Sequence, residues 1–415
     1  MVVGVLVELS NKNIDKEFFY SVPKELEEEI KVGIRVEIPF GPQKLEGFVT
    51  KIKSTLDETI KDIKFKDILN IVDKEIVLNE ELLTLGKKMQ EKTLSTLISC
   101  YQVMLPKALK AKKGIIVQKK YDIFYKLEEN NITGRINESQ AKILNLFKKK
   151  ALVEKKEIEK ISSSSLKTLE KRNILIKIEK EHYRVEYEKL NEKKYILTEE
   201  QKKAVEKIEQ TSYQTYLLHG VTGSGKTEVY MELIAHILEK GQTAIVLVPE
   251  ISLTPQMIKR FTEKFGMNIA VLHSALSEGE KYDEWRRIYR EEVQIVIGAR
   301  SALFAPIKNL GLIIIDEEHS DTYKQDDSNP RYNAIERCKL NKNCKVILGS
   351  ATPSLDSFAR AEKDIYHLVS LPNRINNKPL PKIELIDMNE EMKTSKGHFS
   401  NKLLEQIKEK VEKNE

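Results

Sequence analysis

The segment Gly220–Thr227 constrains the fold most, because its sequence, G-V-T-G-S-G-K-T, fits the phosphate-binding pattern G-x-x-x-x-G-K-T at every position. An apolar, strand-like run, Thr215–His219, precedes it, and Glu228–Lys240 follows with helical periodicity. A strand, a glycine-rich loop and a helix in this order predict a nucleotide-binding α/β lobe. A coincidental glycine-rich turn is the alternative, and the flanking elements make it the weaker interpretation.

The residues of this loop predict its ligand. Glycines allow several backbone N–H groups to converge on one polyphosphate, and the helix that starts here points its positive end at the same charge. The Lys226 ammonium can reach the β- and γ-phosphates, and the Thr227 hydroxyl can hold Mg²⁺. We therefore expect ATP and Mg²⁺ to be bound by Gly220, Val221, Thr222, Gly223, Ser224, Gly225, Lys226 and Thr227.

The sequence T-E-E-Q at Thr198–Gln201 is typical of a helix start. Thr198 suits the N-cap and Gln201 the third helical position of a capping box. The Gln201 amide could also satisfy a donor and an acceptor on the edge of adenine. Because the phosphate loop follows nearby, we expect Gln201 to contact adenine, a role that is compatible with capping.

An apolar run, Leu312–Ile315, leads into the sequence D-E-E-H. Such a run is typical of a buried parallel strand, whose carboxyl end lies at the ligand-binding edge of an open α/β sheet. Asp316 is expected to hold Mg²⁺ and Glu317 to deprotonate the attacking water, although an acidic helix cap is the alternative. The candidate catalytic residues are thus Lys226, Asp316 and Glu317. Coupling of this site to bound DNA is expected from Glu318 and His319.

Two loops after other predicted strands carry small and polar residues. Gly298–Ser301 offers the Arg300 guanidinium and the Ser301 hydroxyl to the phosphates of a nucleic-acid strand. The run V-I-L-G-S-A-T-P ends in hydroxyl residues, Ser350 and Thr352. These hydroxyls either sense two ligands at once or cap a plain strand-to-helix turn.

The segment Asp321–Arg337 is polar and interleaved with aromatic residues. It predicts a mobile loop in which tyrosines stack on bases and cations bind phosphates. The residues expected to do so are Tyr323, Lys324, Arg331 and Tyr332. A solvated insertion is the alternative interpretation.

Length and composition set wider limits. A chain of 415 residues predicts two to four domains, and its formal net charge of +6 permits nucleic-acid binding without establishing it. No C-x-x-C pair occurs among Cys100, Cys338 and Cys344, which argues against a disulfide or a metal site. The sequence has neither a signal-peptide pattern nor an apolar run of membrane-crossing length, so we expect a cytoplasmic protein with no membrane contact.

The N-terminal part alternates like half-buried strands over Val2–Leu9, Val32–Pro39 and Leu45–Ile52, which predicts a small β-barrel or sandwich. Ile60–Met104 is predicted to be helical and to pack on it. The aromatic cluster Phe18, Phe19 and Tyr20 belongs either to the core, which we favour, or to a base-stacking surface.

A second unit, Ile132–Arg184, predicts a winged helix. Its expected helices are Asn137–Lys149, Glu154–Ile161 and a third, capped by the serines at 162–165, that ends at Lys171. The expected wing strands are Ile174–Ile178 and His182–Glu186. The third helix, with Lys167, Lys171 and Arg172, could face DNA or a protein partner.

Five motifs occur in this order: G-V-T-G-S-G-K-T-E-V-Y, L-V-P-E-I-S-L-T-P-Q, G-A-R-S-A-L-F-A-P, I-D-E-E-H and G-S-A-T-P-S. Together they closely resemble the bacterial replication-restart helicase family PriA, also called primosomal protein N′. The N-terminal F-F-Y-S-V-P and R-V-E-I-P-F-G are similar to that family's 3′-end DNA-binding domain. The resemblance implies an ATP-dependent 3′-to-5′ DNA helicase of superfamily 2 that recognises stalled or abandoned forks and promotes primosome assembly. A fork-binding scaffold and a duplex DNA translocase are the alternatives.

The resemblance also implies partners and further site residues. The implied partners are branched and single-stranded DNA, single-stranded DNA-binding protein and other primosome proteins, at the nucleoid. Thr254 and Gln256, with Arg300, are implied to track single-stranded DNA. The family continues into a second helicase lobe with zinc-binding cysteines, so zinc is expected only there. We expect the 415-residue chain to hydrolyse ATP weakly, because an arginine of the second lobe stabilises the transferring phosphoryl group.

The resemblance finally implies a multidomain fold. The expected domains are a β-barrel-like 3′-end DNA-binding domain with a helical appendage at 1–110, a winged helix at 111–190, a RecA-like helicase lobe at 191–365 and a connector towards a second lobe at 366–415.

Overall fold

The computed structural model describes residues 1–9, 15–53, 65–112, 117–185, 187, 196–326, 328–333, 344–375, 383–391 and 398–413. They form two compact units, Met1–Pro372 and Asn373–Glu415. The expected strand end at Glu186, the loop beyond Asn333, Cys338 and the start of the helix expected from Ile60 lie outside the described residues.

The described strands all belong to the first unit. They are β1 (Val2–Val7), β2 (Glu17–Ser21), β3 (Arg35–Phe40), β4 (Gln43–Lys53), β5 (Asn70–Ile71), β6 (Lys120–Leu127), β7 (Leu152–Glu154), β8 (Leu175–His182), β9 (Thr215–Gly220), β10 (Thr243–Leu247), β11 (Ile269–Leu272), β12 (Ile295–Gly298), β13 (Leu310–Asp316), β14 (Lys345–Ser350) and β15 (His367–Leu371).

The helices of the first unit are α1 (Glu80–Thr93), α2 (Leu97–Val103), α3 (Glu138–Leu146), α4 (Lys155–Lys171), α5 (Glu199–Gln210), α6 (Lys226–Glu239), α7 (Pro255–Phe265), α8 (Glu278–Tyr289) and α9 (Leu355–Glu362). The second unit contains α10 (Met388–Glu391) and α11 (Asn401–Glu412).

Seven parallel strands form the largest sheet, in the order β11-β12-β10-β13-β14-β9-β15. The sheet is apolar on both faces, as expected of parallel strands covered by helices. One face packs against α5, α6 and α7, with Val246 and Ile314 in that core. The loops after β9, β13 and β14 open at the same carboxyl edge. The predicted α/β lobe, meaning β9–β15 with α5–α9, is confirmed.

The other face of the lobe sheet shares one continuous core with the N-terminal helices. Leu247 and Ile313 of the sheet belong to the same buried cluster as Leu82 of α1 and Tyr101 of α2. Tyr101 has no exposed surface, and its ring lies against Gly86 of α1. The N-terminal domain is therefore joined to the lobe through packed side chains as well as through the chain.

The N-terminal domain is a five-stranded antiparallel sheet in the order β2-β1-β4-β3-β5. Ser21 N–H donates to Lys66 O, and Ile68 N–H donates to Ser21 O, both at 3.0 Å. These bonds connect β2 to the chain that enters β5, so the two edges approach closure as in the expected barrel. Helix, however, begins only at Glu80, because 65–79 contains only the short strand β5 and irregular chain; the expected helix from Ile60 was too long.

The middle sheet has the order β7-β6-β8 and packs against α3 and α4. Ser162 interrupts α4 with φ −169° and ψ 116°, and its Oγ accepts from Ser165 N–H at 3.2 Å, so the expected serine cap of a third helix is confirmed. The first expected wing strand, Ile174–Ile178, lies within β8 except for its first residue. β8 continues to His182, and 183–185 is not strand, so the expected second strand is wrong over the described residues. β8 pairs with β6, which precedes the helices.

The sequence predicted neither a disulfide or metal site nor a membrane-crossing segment. Cys100 and Cys344 are buried and neither forms a disulfide within the described part of the chain, and no group of His, Cys, Asp and Glu side chains suited to a metal ion occurs within the described ranges. Among the described helices, none combines the length and the apolar character that crossing a bilayer requires.

Candidate nucleotide site and the loops beside it

The phosphate loop has the tight backbone that its glycines predict. Gly223 and Gly225 adopt φ of 82° and 81°, in the left-handed region that favours glycine. Gly220 is required for a different reason, since a Cβ there would lie 2.7 Å from Ser224 Oγ. Ser224 is buried, and its hydroxyl has no hydrogen-bond partner among the described residues. This loop then enters α6, whose first N–H groups lack helical acceptors.

Lys226 and Glu317 face each other across the carboxyl edge of the sheet. The Lys226 ammonium donates to Gly220 O at 2.9 Å and lies 3.9 Å from Glu317 Oε1. Glu317 adopts φ of 46°, a conformation that few residues other than glycine take. Backbone strain of this kind is concentrated at functional sites, because the surrounding structure must hold it in place.

Asp316, at the end of β13, is held by a tyrosine that the sequence analysis did not single out. Tyr230 Oη donates to Asp316 Oδ1 at 2.9 Å. Tyr230 lies four residues after Lys226 and so on the same face of α6, which is the signal that could have found it. A side chain at Gly349 would collide with the Tyr230 hydroxyl, so this contact requires the glycine of β14.

Burial raises the pKa of Asp316, the charge of Glu317 raises it further, and the Tyr230 hydrogen bond and Lys226 oppose both. The metal needs the ionised carboxylate, so Mg²⁺-dependent nucleotide binding should weaken as Asp316 becomes protonated. Because its pKa is raised, this weakening should occur at a higher pH than it would with an aspartate of ordinary pKa. Tyr230→Phe removes a hydrogen bond that lowers this pKa, so the loss should move to still higher pH. Titration of ATP affinity against pH at fixed Mg²⁺ measures the shift.

Tyr213→Phe is the matched control for that experiment, since Tyr213 Oη donates to Asp364 Oδ2 at 2.7 Å outside the phosphate loop. Its pH profile should coincide with that of the unaltered chain. Coincident profiles for all three proteins would show that Tyr230 does not set the ionisation of Asp316.

Gln201 forms the predicted capping box, but its amide contacts protein where adenine was expected. Its Oε1 accepts from Thr198 N–H at 2.8 Å, and its Nε2 donates to Ser224 O at 3.0 Å. The side chain is 1% exposed. In this structure Gln201 connects the phosphate loop to the start of α5, and its contact with adenine stays a prediction.

Glu318 and His319 connect the acidic motif to the loop after β14. The Glu318 carboxylate accepts from Ser354 N–H at 2.7 Å and from Ser357 Oγ at 2.9 Å, so it caps α9. His319 Nδ1 lies 3.6 Å from Glu317 Oε2 and 2.8 Å from Ser350 Oγ. Ser350 Oγ in turn accepts from Thr352 N–H at 3.0 Å. An ion-pair contact and two hydrogen bonds thus connect the Glu317 carboxylate to the S-A-T-P loop.

The tyrosines expected to stack on bases are buried. Tyr323 is 1% exposed, and its hydroxyl lies within hydrogen-bond distance of Leu247 O and Asp316 O, at the ends of β10 and β13. Tyr332 is 9% exposed and packs on Phe304. The expectation of base stacking by these two rings is corrected, because the apolar rings fill the lobe core and anchor the loop.

Arg300 is engaged by the same loop. Its guanidinium donates to Lys324 O at 2.6 Å and to Gln325 Oε1 at 3.2 Å, and it lies over the Tyr332 ring. In this structure Arg300 therefore ties the loop after β12 to the loop after β13, where a contact with a DNA phosphate was expected. The other residues expected to contact DNA are exposed, namely Thr254, Gln256, Ser301, Lys324 and Arg331.

The N-terminal aromatic cluster divides between the two roles considered for it. Tyr20 is buried and its hydroxyl donates to Pro39 O at 3.2 Å, as core packing predicts. Phe18 and Phe19 are half-buried and line a pocket that Lys66 also lines. The cluster therefore contributes both to the core and to an open aromatic surface.

The residues of the phosphate loop fit a Mg²⁺-bound nucleoside triphosphate. The orphaned Ser224 hydroxyl, the Lys226 ammonium and the N-terminus of α6 offer donors to phosphate oxygens. Asp316 and Thr227 would hold the metal, which would neutralise phosphate charge when bound. The side chains of this loop and of the acidic motif are thus of the types that the ligand requires.

Comparison with known proteins defines the class. The DEAD/DEAH box helicase model matches residues 198–361, and the model of the 3′DNA-binding domain (3′BD) matches residues 4–106. The chain thus joins a DEAD/DEAH box helicase lobe to a 3′DNA-binding domain. Replication restart protein PriA of Bacillus subtilis (strain 168) is 40% identical over 99% of this chain, and that of Chlamydia pneumoniae is 35% identical over 96%. The chain belongs to the PriA family. It spans 61% and 55% of the length of these two relatives.

Proposed function

We propose that the chain acts in an ATP-dependent 3′-to-5′ DNA helicase that recognises stalled or abandoned replication forks and promotes primosome assembly. The observation that carries this proposal is a series of side-chain contacts next to Lys226 of the phosphate loop, in which His319 lies 3.6 Å from the Glu317 carboxylate and is hydrogen-bonded to Ser350. It gives the nucleotide site a direct contact with a neighbouring loop at the sheet edge, as a motor that couples ATP to movement requires.

In this proposal Lys226 binds the phosphates, Asp316 and Thr227 bind Mg²⁺, and Glu317 orients and deprotonates the attacking water. Single-stranded DNA crosses the exposed residues Thr254, Gln256, Ser301, Lys324 and Arg331. Arg300 and the buried tyrosines act indirectly, by holding the loops that carry those residues.

Fork recognition is assigned to the N-terminal domain, whose Phe18 and Phe19 pocket would receive the terminal nucleotide of a 3′ end. We further propose a winged helix at 111–190, in which Lys167 and Lys171 are exposed on the second half of α4. Single-stranded DNA-binding protein and primosome proteins are the proposed partners, at the nucleoid in the cytoplasm. Weak ATP hydrolysis by the 415 residues alone stays a prediction, which a DNA-stimulated ATPase assay tests.

Two measurements test the proposal. The first compares binding to labelled forks with and without a leading-strand 3′ end, and binding should favour the 3′ end and survive Lys226→Ala. The second is strand displacement by the full-length protein, which Lys226→Ala should abolish. Tight fork binding without displacement by the unaltered protein would favour a fork-binding scaffold or a duplex translocase. Binding that ignores the 3′ end would contradict the assignment of the aromatic pocket.

A coupling prediction follows from the His319 contact. Ser350→Ala removes the hydroxyl that links His319 to Thr352, while it leaves the phosphate loop intact. ATP affinity without DNA should stay unchanged, whereas the factor by which single-stranded DNA alters ATP affinity should fall towards one, a loss of about 1–3 kcal/mol of coupling. Calorimetric ATP titrations with and without an oligothymidylate measure that factor.

Ser370→Ala, at an exposed position on β15, is the matched control and should keep the coupling of the unaltered chain. Full coupling in Ser350→Ala would mean that the connection between the two loops does not pass through this hydroxyl.

A further inference from the structure

A pocket lies where the N-terminal domain meets the lobe, and it belongs to neither alone. Its cavity volume is about 210 Å³, below the roughly 300–1,000 Å³ of sites for whole small-molecule ligands, so it suits a small group and not a large ligand. The polar lining of this junction pocket comprises Lys107, Lys110, His273, Glu278, Lys281 and Ser301. The first two follow α2, whereas the other four belong to the lobe.

The lining of the junction pocket is electropositive. Three lysines face one glutamate, which leaves a formal excess of two positive charges (three minus one). Two of the lysines already share that glutamate, since Lys107 Nζ and Lys281 Nζ lie 3.7 and 3.2 Å from Glu278 Oε1. The balance of charge therefore favours an anionic ligand.

Lys110 is the cation that the pocket leaves uncompensated. Among the described residues, no carboxylate lies within ion-pair distance of its ammonium, and Glu278 acts on it only at longer range. Burial lowers the pKa of Lys110, which shows the electrostatic cost of holding this charge without a partner. A half-buried, unpaired ammonium is stabilised when an anion enters beside it.

Trp285 adds a second donor without a partner. This side chain lines the junction pocket, is 4% exposed, and stacks on Tyr289 with ring centroids 5.1 Å apart. Its indole N–H has no hydrogen-bond partner among the described residues. Indole nitrogen only donates, so a compensating ligand must bring an acceptor oxygen.

Ser301 places the pocket on the path proposed for DNA. It follows Arg300 directly, at the carboxyl end of β12, and its exposed hydroxyl belongs both to that edge and to the pocket lining. A phosphodiester supplies the negative charge and the acceptor oxygens that Lys110 and Trp285 lack. A free polyphosphate would offer the same chemistry.

We propose that the junction pocket binds a backbone phosphate of single-stranded DNA, with Lys110 as its cation, so that the N-terminal domain and the helicase lobe hold the same strand. This inference rests on the proposed DNA-binding function and adds to it a site that the helicase lobe cannot form alone. It makes the connector after α2 part of the DNA contact surface.

Two substitutions with opposite expected effects test the proposal. Lys110→Met keeps the apolar stem and removes the charge, so oligothymidylate affinity should fall about fivefold and the salt slope should weaken by about 0.7. Glu278→Gln frees Lys107 and Lys281 from their carboxylate, so affinity should rise about threefold. Damage to the fold would lower affinity in both variants, so an opposite sign separates phosphate binding from structural damage.

Lys240→Met is the matched control, because Lys240 follows α6 at the opposite edge of the sheet, and it should bind DNA as the unaltered chain does. Trp285 is the only tryptophan, so its fluorescence reports occupancy of the pocket directly. Oligothymidylate should change this fluorescence in the unaltered chain and not in Lys110→Met.

Three outcomes overturn the proposal. If the chain binds oligothymidylate and Lys110→Met binds equally well, the pocket inference fails while the proposed function stands. If sodium pyrophosphate changes Trp285 fluorescence without competing with DNA, the pocket serves a free phosphate compound. If the unaltered chain binds no DNA, both the inference and the proposed function fail.

Discussion

Replacing Lys226 by alanine is expected to weaken Mg²⁺·ATP binding about 100-fold, which corresponds to the upper range of a hydrogen bond to a charged group. The Lys226 side chain is only 10% exposed, and its ammonium lies 3.9 Å from Glu317 Oε1. Without it, Asp316 and Glu317 would face the incoming phosphates with no lysine between them. Both the lost attraction and the added repulsion lower affinity.

Isothermal calorimetry with ATP and Mg²⁺ measures this effect. Lys202→Ala is the control, because Lys202 forms an exposed ion pair with Glu199 on α5 and its loss should leave ATP affinity unaltered. A urea midpoint equal to that of the unaltered chain would show that Lys226→Ala still folds. ATP affinity within about threefold of the unaltered chain would refute the assignment of Lys226 as the phosphate-binding lysine.

The phosphate loop and the acidic strand end were predictable because their constraints are local. Gly223 and Gly225 need a backbone that only glycine adopts easily, and Asp316 follows an apolar strand whose carboxyl end must lie at the sheet edge. Helix capping by Thr198 and Ser162 was also predictable, since each side-chain oxygen accepts from an N–H only three residues further along the chain.

Tertiary packing decided what the sequence left open. Tyr323 and Tyr332 look like exposed stacking residues in a polar segment, yet the lobe core has room for both rings and burial of aromatic surface outweighs exposure. Arg300 was expected to contact a DNA phosphate, but its guanidinium donates to a backbone carbonyl oxygen of the loop after β13, which the local sequence does not reveal. The strand pairing expected for the wing was wrong because β8 pairs with β6, about fifty residues earlier in the chain. Pairing between strands so far apart in sequence leaves no local sequence pattern.

Replacing Asp283 by alanine should lower the free energy of unfolding by about 3–5 kcal/mol, the usual cost of breaking a buried ion pair from one side. Asp283 is completely buried on α8 and accepts from Arg286 Nη2 at 2.6 Å and from Arg184 N–H at 2.9 Å. Arg286 is also completely buried and pairs with Glu181 at the end of β8. Alanine would leave Arg286 with an incompletely compensated charge inside the protein.

The effect should extend beyond α8, because this network joins three parts of the chain. Arg290, one turn further along, pairs with Glu181 of the middle sheet and with Glu75 of the N-terminal domain, each at 2.9 Å. Loss of Asp283 should therefore loosen the attachment of β8 to the lobe and lower the temperature at which the middle sheet detaches. Removing one member of such a charge network costs more stability than breaking a single isolated ion pair.

Urea unfolding followed by Trp285 fluorescence reports this change, since the indole lies two residues along α8 and is the only one in the chain. Glu239→Ala, at an exposed position of α6, is the control and should change stability by no more than about 0.5 kcal/mol. Asp283→Ala combined with Arg286→Met should recover part of the loss, because an apolar pair avoids the buried charge. If the single variant unfolds at the same urea concentration as the unaltered chain, the α8 network does not hold these domains together.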